Sequence, residues 1–533
     1  MKRWKRIGLT TLLSTALAAT PFWTAETGAQ GKAKGHQVQL QLLGINDFHG
    51  QLNVDRKIGD AKAGRADYLA SYLKEREASV KNSWTVHAGD MVGASAPVSA
   101  LLQDEPTIEF MNHMEFDAGT VGNHEFDEGV QEMLRLIHGG EHEATGDFEG
   151  ADFPYTVANV VWEESGKPVL PPHLIKKVQG IPVGFIGIAT TDTPNIVTPS
   201  GVKGVKFTDA SDAINREVDK LKAKGVQAIV VLAHEGAFQD QQTGEMDGPI
   251  VDITRNLDDE VDVVIAGHSH SGLNGNVGGK LLVQSYSYGT AFSDIDLVLD
   301  RRTGDVVEKS AEIVNTWHDG IEPDAEVRAM VEKYEEEVAP IINREIGQAA
   351  ETIIRDPSPA GESALGNLIA DAQRWKTGTD FAFMNPGGIR SDIEAGTVTW
   401  GDLYTVQPFN NNLVTMTLTG EQIERLLNQQ WQDGRTRMLQ VSGLTHTWDA
   451  SRPAGDRIVD LKKADGTPIE PDTRYTVTAN SFIAAGGDHF SVFTEATDQV
   501  VGPVDLDALV EYIGQLPQPF SAEIEGRIQQ TGN

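Results

Sequence analysis

Four apolar runs that each stop at a glycine, a histidine or a carboxylate constrain this chain more than any other feature. "QVQLQLLGIND" begins in alternation and turns apolar, while "SWTVHAGD", "AIVVLAHEG" and "VDVVIAGHSH" are apolar for the length of a buried strand. From about His36 to Trp317 the theme recurs: a short β-rich run ends in polar residues and a helix or loop follows. That pattern predicts an α/β or α+β fold with buried sheets. At 533 residues the chain is too long for one compact core. Length alone suggests roughly three to four domains, and the recurring pattern argues for fewer, larger ones.

Residues 1–35 read as a signal peptide and short leader. "MKRWKR" is a basic n-region and "IGLTTLLSTALAATPF" an apolar h-region, with small residues at Ala16-Leu17-Ala18 or Thr27-Gly28-Ala29 as cleavage sites. An uncleaved N-terminal anchor is the alternative, although the apolar run is shorter than the roughly 20 residues a span needs. No later segment approaches that length, and the C-terminus shows no sorting motif or hydrophobic tail. The expectation is a freely secreted protein, extracellular or periplasmic, with no membrane span after signal cleavage.

Three further regions follow. Residues 36–318 form the first globular unit, 319–346 a helical linker and 347–533 a second α/β unit. In "DGIEPDAEVRAMVEKYEEEVAPIINREI", Val327, Met330, Val331 and Tyr334 recur at helical spacing, and Pro340 is expected to interrupt or kink the helix. Such a helix either links the two halves or packs onto one of them. In the second unit "ESALGNLIADAQRW" reads as helix and "DFAFMN" as strand. "NNLVTMTLTGEQIERLLNQQ" reads as a strand running into a helix that Thr419 and Gln422 cap reciprocally. "ADGTPIEPDT" reads as a hairpin-like connection between "RIVDLKK" and "RYTVTANSF", and "DLDALVEYIGQL" as a last helix.

The chain has no cysteine, which excludes disulfides and thiolate ligands. Any metal must be held by His, Asp, Glu or Asn. A net charge of −34 opposes binding to a nucleic acid polymer, whose affinity comes from Lys and Arg neutralising phosphates. An anionic substrate therefore needs locally concentrated positive charge.

Five of the fourteen histidines, His49, His124, His234, His268 and His270, sit where an apolar strand gives way to a loop. Asp47, Asp90 and Asn123 sit at the same kind of place. Loops at one edge of a sheet converge, so residues scattered along the chain can meet there. If strand geometry continues through "NDFHG", Asp47 and His49 point to one side, and His268 and His270 do the same in "AGHSH". Either pair alone is read as well as a solvated polar loop; five coincident sites favour metal binding. Asp47, His49, Asp90, Asn123, His234, His268 and His270 are too many for one ion with an open position. Two divalent ions fit better, with Asp90 as the bridging carboxylate, and such a pair suits phosphoryl chemistry. Imidazole and carboxylate together suit zinc, manganese, cobalt or iron. In "GNHEFDEG", His124 is then free for chemistry, with Asp127 three residues on to orient it and favour its cationic form. Glu125 faces away or supports the loop.

"INDFHG", "HAGD", "GNHEFD", "AHEG" and "AGHSH", in this order, resemble the calcineurin-like metallophosphoesterases. With "NPGGIR", "QPFNN" and "NSFIAAGGDHF" downstream, the chain resembles secreted bacterial 5'-nucleotidases and UDP-sugar hydrolases from about Gln39 to Phe493. The resemblance implies a four-layer αββα metallophosphoesterase domain, a linking helix and a C-terminal α/β domain that binds the nucleotide. It implies Asp47, His49, Asp90 and His270 around one metal, Asp90, Asn123, His234 and His268 around the other, and His124 with Asp127 as catalytic dyad. It further implies that Phe409 and Phe482 sandwich the base, that Asn385, Gly388 and Arg390 contact base or phosphate, and that Asn411 and Asp488 lie near the ribose. From the sequence alone a Phe is as readily core as platform; the glycines of "AAGGD" favour exposure for Phe482. One departure stands out. The family usually places one or two arginines in the loop before the "GNLI" helix, whereas "DPSPAGESALGNLI" has none and Arg355 is the nearest.

The implied activity is hydrolysis of nucleotide phosphoesters, most simply a 5'-nucleotidase releasing nucleoside and phosphate from a small-molecule nucleotide. A broader hydrolase of UDP-sugars, nucleoside polyphosphates or 2',3'-cyclic nucleotides is the nearest alternative. A noncatalytic nucleotide-binding extracellular module is the alternative from another class, and its mark would be a missing ligand or dyad residue.

Overall fold

The computed structural model describes residues 36–432 and 434–532; the signal peptide and leader expected over 1–35 lie outside them. The first half is built on β1 (Gln37–Ile45), β2 (Ser83–His87), β3 (Ala118–Gly119), β4 (His173–Val178), β5 (Ile181–Ala189), β6 (Ala228–His234), β7 (Val261–Ala266), β8 (Gly272–Val277), β9 (Lys280–Ser285), β10 (Ala291–Asp300) and β11 (Val306–Asn315). They form two sheets, ordered β11-β10-β1-β2-β3 and β8-β9-β7-β6-β5-β4. β1 runs parallel to β2, and β5, β6 and β7 run parallel to one another. Each of these strands therefore ends at the same edge of its sheet as its parallel neighbours.

The two sheets pack face to face, which is why their strands read as continuous apolar runs. Leu40, Leu42 and Val86 from one sheet meet Phe185, Val230, Leu232, Val263 and Ile265 from the other in one buried cluster. Helices cover the outer faces: α1 (Ala66–Ser79) packs Leu69, Ala70 and Leu73 over β1, and α2 (Ala210–Ala223) packs Ile214, Val218 and Leu221 over β5 to β7. The result is a four-layer αββα arrangement.

α3 (Ala325–Ile342) is capped by Asp324, whose carboxylate accepts from the Glu326 and Val327 amides. It buries Val327, Val331 and Tyr334 in the first half's core. Pro340 does not interrupt it. The helix runs two residues further: the proline removes only the one bond to the Glu336 carbonyl, and burial of Val327, Val331, Tyr334 and Val338 outweighs that loss. Its C-terminal end abuts the second half: the Trp400 amide donates to the Arg344 carbonyl at 2.8 Å.

The second half holds α4 (Ala364–Thr377), α5 (Trp400–Val406), α6 (Gly420–Asn428) and α7 (Asp505–Gln515) around a sheet of β12 (Phe381–Met384), β13 (Asn412–Thr419), β14 (Gln440–Ser442), β15 (Arg474–Asn480) and β16 (Thr497–Val504), ordered β14-β12-β15-β13-β16. Thr419 and Gln422 form the expected reciprocal cap, with N–H···O distances of 2.8 and 3.2 Å. The "ADGTPIEPDT" connection is not a hairpin between its flanking strands. Ile458–Lys463 pairs with Leu444–Asp449 in a separate sheet, while β15 pairs with β12 and β13; the chain changes sheets there because β15 finds both neighbours elsewhere. Among the described residues no helix is long and apolar enough to cross a membrane.

Candidate active site

The seven candidate metal ligands come together at the edge where β1, β2, β6 and β7 end. Asp47, His49 and His270 offer ligand atoms within 4.8 Å of one another; so do His49, Asp90 and His124, and so do Asp90, His234 and His268. The Asn123 Oδ1 atom adds to the last group, 3.0 Å from His268 Nδ1 and 3.2 Å from His234 Nε2. Asp90 lies between the groups, its Oδ2 at 3.0 Å from His234 Nε2 and 3.9 Å from His49 Nε2.

The strand pleat does not bring these groups together. β1 ends at Ile45, before the ligands begin, and Asp47, His49, Asp90, His268 and His270 all have positive φ, between 51° and 73°. Left-handed backbone at five non-glycine residues bends each loop back over its sheet edge, a conformation that persists only where the surroundings over-determine it. Strand geometry therefore does not continue through "NDFHG" or "AGHSH"; the residues converge by left-handed turns instead.

Glu125 fixes the loops. Buried, it accepts from the backbone amides of Asp90 at 3.0 Å, Met91 at 2.9 Å and Gly122 at 2.5 Å. Gly122 has to be glycine, since a Cβ there would collide with the Asp90 carboxylate and come within 2.7 Å of the His234 ring.

The donor set fits divalent metal ions. His49 and His234 each hold Nδ1 against a backbone carbonyl, Gly93 and Ala88 respectively, both at 2.8 Å. An Nδ1–H donating to those carbonyls turns each Nε2 lone pair inward, as in many metal-bound histidines. Inward-facing nitrogens then crowd one another, His49 Nε2 lying 3.3 Å from His270 Nε2, an arrangement that a cation between them relieves. Charge is strongly coupled here. Burial works against the charged form of His234, but Asp90, Asp47 and Glu125 outweigh it and push the ring up to about 10. Burial raises Asp47, yet His270 and His234 hold it at about 2. Burial with the nearby His234 drives His268 down to about 3.

His124 sits beside this centre. Its Nδ1 lies 2.7 Å from Asp127 Oδ2 and its backbone amide donates to Asp90 Oδ1 at 2.8 Å. Burial lowers its pKa, but Asp127 and Asp90 overcome that and the net shift is upward.

A cleft of about 420 Å³ opens over His124, Asn123 and His268 and continues into the second half. All seven candidate substrate residues line it: Asn385, Gly388, Arg390, Phe409, Asn411, Phe482 and Asp488. Phe409 and Phe482 are half-buried. The Arg390 guanidinium lies 5.9 Å from the Phe409 ring centroid, and its Nη2 donates to Tyr288 Oη at 3.3 Å. Asn385 Nδ2 donates to Asp488 Oδ2 at 2.8 Å, and Ser481 Oγ donates to Asn411 Oδ1 at 2.9 Å.

Three residues escaped sequence reasoning. Tyr288 follows β9 and packs edge-on against His270 at 5.2 Å; nothing in "SYSYGT" signals that. Arg435 and Arg437 also line the cleft. Arg435 lies in the short pairing of Trp431–Gln432 with Arg435–Thr436 and Arg437 directly after it, its amide donating to the Gln430 carbonyl; their only sequence signal is positive charge in an acidic chain. Arg355, the nearest arginine to the "GNLI" helix, is committed elsewhere, donating to the carbonyls of Ile389 and Arg390.

Comparison with known proteins follows this division of the chain. The calcineurin-like phosphoesterase profile matches residues 40–272, and the 5'-nucleotidase C-terminal domain profile matches residues 345–495. Endonuclease YhcR of Bacillus subtilis is 42% identical over 99% of this chain, which spans 44% of that protein's length. A cell wall protein of Listeria monocytogenes is 37% identical over 94% of this chain and 70% of its own. The crystal structure of a 5'-nucleotidase precursor from Thermus thermophilus superposes with a TM-score of 0.80 at 29% identity, covering 93% of this chain and 100% of that one.

Proposed function

The chain belongs to the 5'-nucleotidase family of calcineurin-like phosphoesterases and is by that membership a metal-dependent phosphoester hydrolase; from that premise we propose that it releases nucleoside and phosphate from nucleoside 5'-phosphates outside the cytoplasm. The observation that carries this reading is the single cleft shared by the metal-ligand edge and the two half-buried phenylalanines. The basic, apolar leader over residues 1–35 supports the location. The domain limits we adopt are 36–318 and 347–533, joined by 319–346.

In this reading Asp47, His49, Asp90 and His270 hold one divalent ion and Asp90, Asn123, His234 and His268 the other. Two such ions supply Lewis acidity at the phosphoryl oxygens and lower the pKa of an attacking water. Phe409 and Phe482 stack the base, Asn411 and Asp488 take the ribose, and Asn385 and Gly388 shape the wall beside them. Arg390 binds the phosphate through charge-assisted hydrogen bonds. Asp127 holds His124 by Nδ1 and favours its cationic form, leaving the other ring nitrogen to donate to the developing charge or the departing oxygen.

The test is phosphate release from AMP, ADP, ATP, UDP-glucose and 2',3'-cyclic AMP, with and without chelator and with manganese or zinc restored. Preference for AMP, abolished by chelation and recovered with metal, is the expected result. Activity chiefly on the other substrates keeps the metal centre but moves the specificity. No hydrolysis of any of them with metal bound overturns the enzymatic reading.

A further inference from the structure

On the reading that Asp488 takes the ribose hydroxyls, we propose that Arg435 and Arg437 form a second anion subsite for a phosphate on the ribose 3' oxygen, so that nucleoside 3',5'-bisphosphates are preferred over 5'-monophosphates. Water attacks the 5' phosphorus, the P–O5' bond breaks, O5' leaves with a proton, and the products are inorganic phosphate and a nucleoside 3'-phosphate. The 3' phosphate stays on the product and serves only to bind.

The argument rests on where the cationic groups of the cleft lie. Arg390 belongs to the side of Phe409, Tyr288 and His124, where the 5' phosphate is processed. Arg437 belongs to the side of Asp488: its Nε lies 3.8 Å from Asp488 Oδ1, and its side chain is only 14% exposed. Arg435 stands two residues before Arg437, on the short strand paired with Trp431–Gln432, and both arginines line the same cleft. A nucleotide with its base between the phenylalanines and its ribose hydroxyls at Asp488 would direct a 3' substituent at this pair.

The acidic neighbours do not close the subsite to an anion. Asp192 is engaged by His489, with Nε2 at 3.2 Å from Oδ1, and Asp488 by Asn385. Burial also pushes the Asp488 carboxyl up, although Asn385, Arg437 and His489 pull against it, so an approaching phosphate favours its neutral, donating form. Two guanidinium forks suit a phosphate better than lysines would, because each can bond two oxygens at once.

The competing account is that Arg437 only neutralises Asp488, and it makes a different prediction. The experiment compares kcat/KM for adenosine 3',5'-bisphosphate, the 5'-phosphorylated dinucleotide pApA and AMP in the natural protein, in Arg435→Gln with Arg437→Gln, and in Arg437→Lys. The expected result is a preference for the bisphosphate of about tenfold or more, a smaller one for the singly charged 3' diester, and a ratio near one in the double variant. A natural ratio at or below one, or a ratio unchanged by the double substitution, overturns the subsite while leaving AMP hydrolysis, and with it the proposed function, intact. Binding of adenosine 3'-phosphate against adenosine, measured by calorimetry, decides the subsite even where AMP is not hydrolysed. Equal affinity for the two would overturn it. Retention of the preference by Arg437→Lys at reduced size is expected of a charge contact.

Discussion

The His124 imidazole lies almost parallel to the Phe409 ring, with centroids 5.8 Å apart and planes inclined by 21°. One residue stands in a loop of the first half and the other in a loop of the second, so the ring proposed to move the proton and the ring proposed to stack the base meet in one cleft. On that reading, base recognition and chemistry are held in a fixed geometric relation, which is what converts binding energy into orientation.

Phe409→Ala should raise KM for AMP roughly 5- to 50-fold, the effect of losing one base-stacking face, with a smaller fall in kcat. Phe409→Tyr should restore most of the affinity. Steady-state kinetics on the two variants checks this, and an unchanged KM in the alanine variant would remove Phe409 from the base site.

His124→Ala should lower kcat by about 10² to 10⁴, the range for loss of a positioned proton donor, with both metals retained. Asp127→Asn should cost less, since the ring keeps a hydrogen-bonding partner but loses the charge that favours its protonation. Metal content by elemental analysis, run beside the kinetics, separates these effects from collapse of the centre.

Glu125→Ala should act on metal content rather than on chemistry. Removing the carboxylate strands three buried amides, those of Asp90, Met91 and Gly122, at a cost of about 2–4 kcal/mol. A lower Tm together with less than two metals per chain is the expected outcome, and Glu125→Gln should fall between the variant and the natural protein.

His446 makes stability depend on pH. It is 2% exposed, and neither ring nitrogen has a hydrogen-bond partner among the described residues; burial lowers its pKa from 6.5 to about 4. Between those values the unfolded chain binds a proton that the folded chain refuses. Stability is therefore full above pH 6.5 and falls as pH drops toward 4, by up to roughly 3 kcal/mol. His446→Leu should flatten this slope, measurable as the difference in Tm between pH 7.5 and pH 5 relative to the natural protein. An unaltered slope would locate the acid sensitivity elsewhere.

Much of this was legible in the order of residues. Apolar runs ending in His, Asp and Asn are enough to give two buried sheets with their candidate ligands at one edge, because burial on both faces demands continuous apolar strands and parallel strands end together. The helical spacing of Val327, Val331 and Tyr334 and the reciprocal cap of Thr419 and Gln422 are likewise local, and local patterns survive folding.

The sequence alone could not say how the ligands turn inward. The left-handed backbone at Asp47, His49, Asp90, His268 and His270 is unfavourable for each residue taken singly and is imposed by the packing around it, including the carboxylate of Glu125 and the missing Cβ of Gly122. Nor could it reveal which cations share the cleft. Arg435 and Arg437 sit on a hairpin far along the chain from His124, and no periodicity marks a charge as facing a ligand rather than solvent. Residue order determined the donors and the strands that carry them. Their meeting with Phe409 and the arginines was decided by the docking of one half on the other, because contacts between distant segments depend on the summed packing of everything between them.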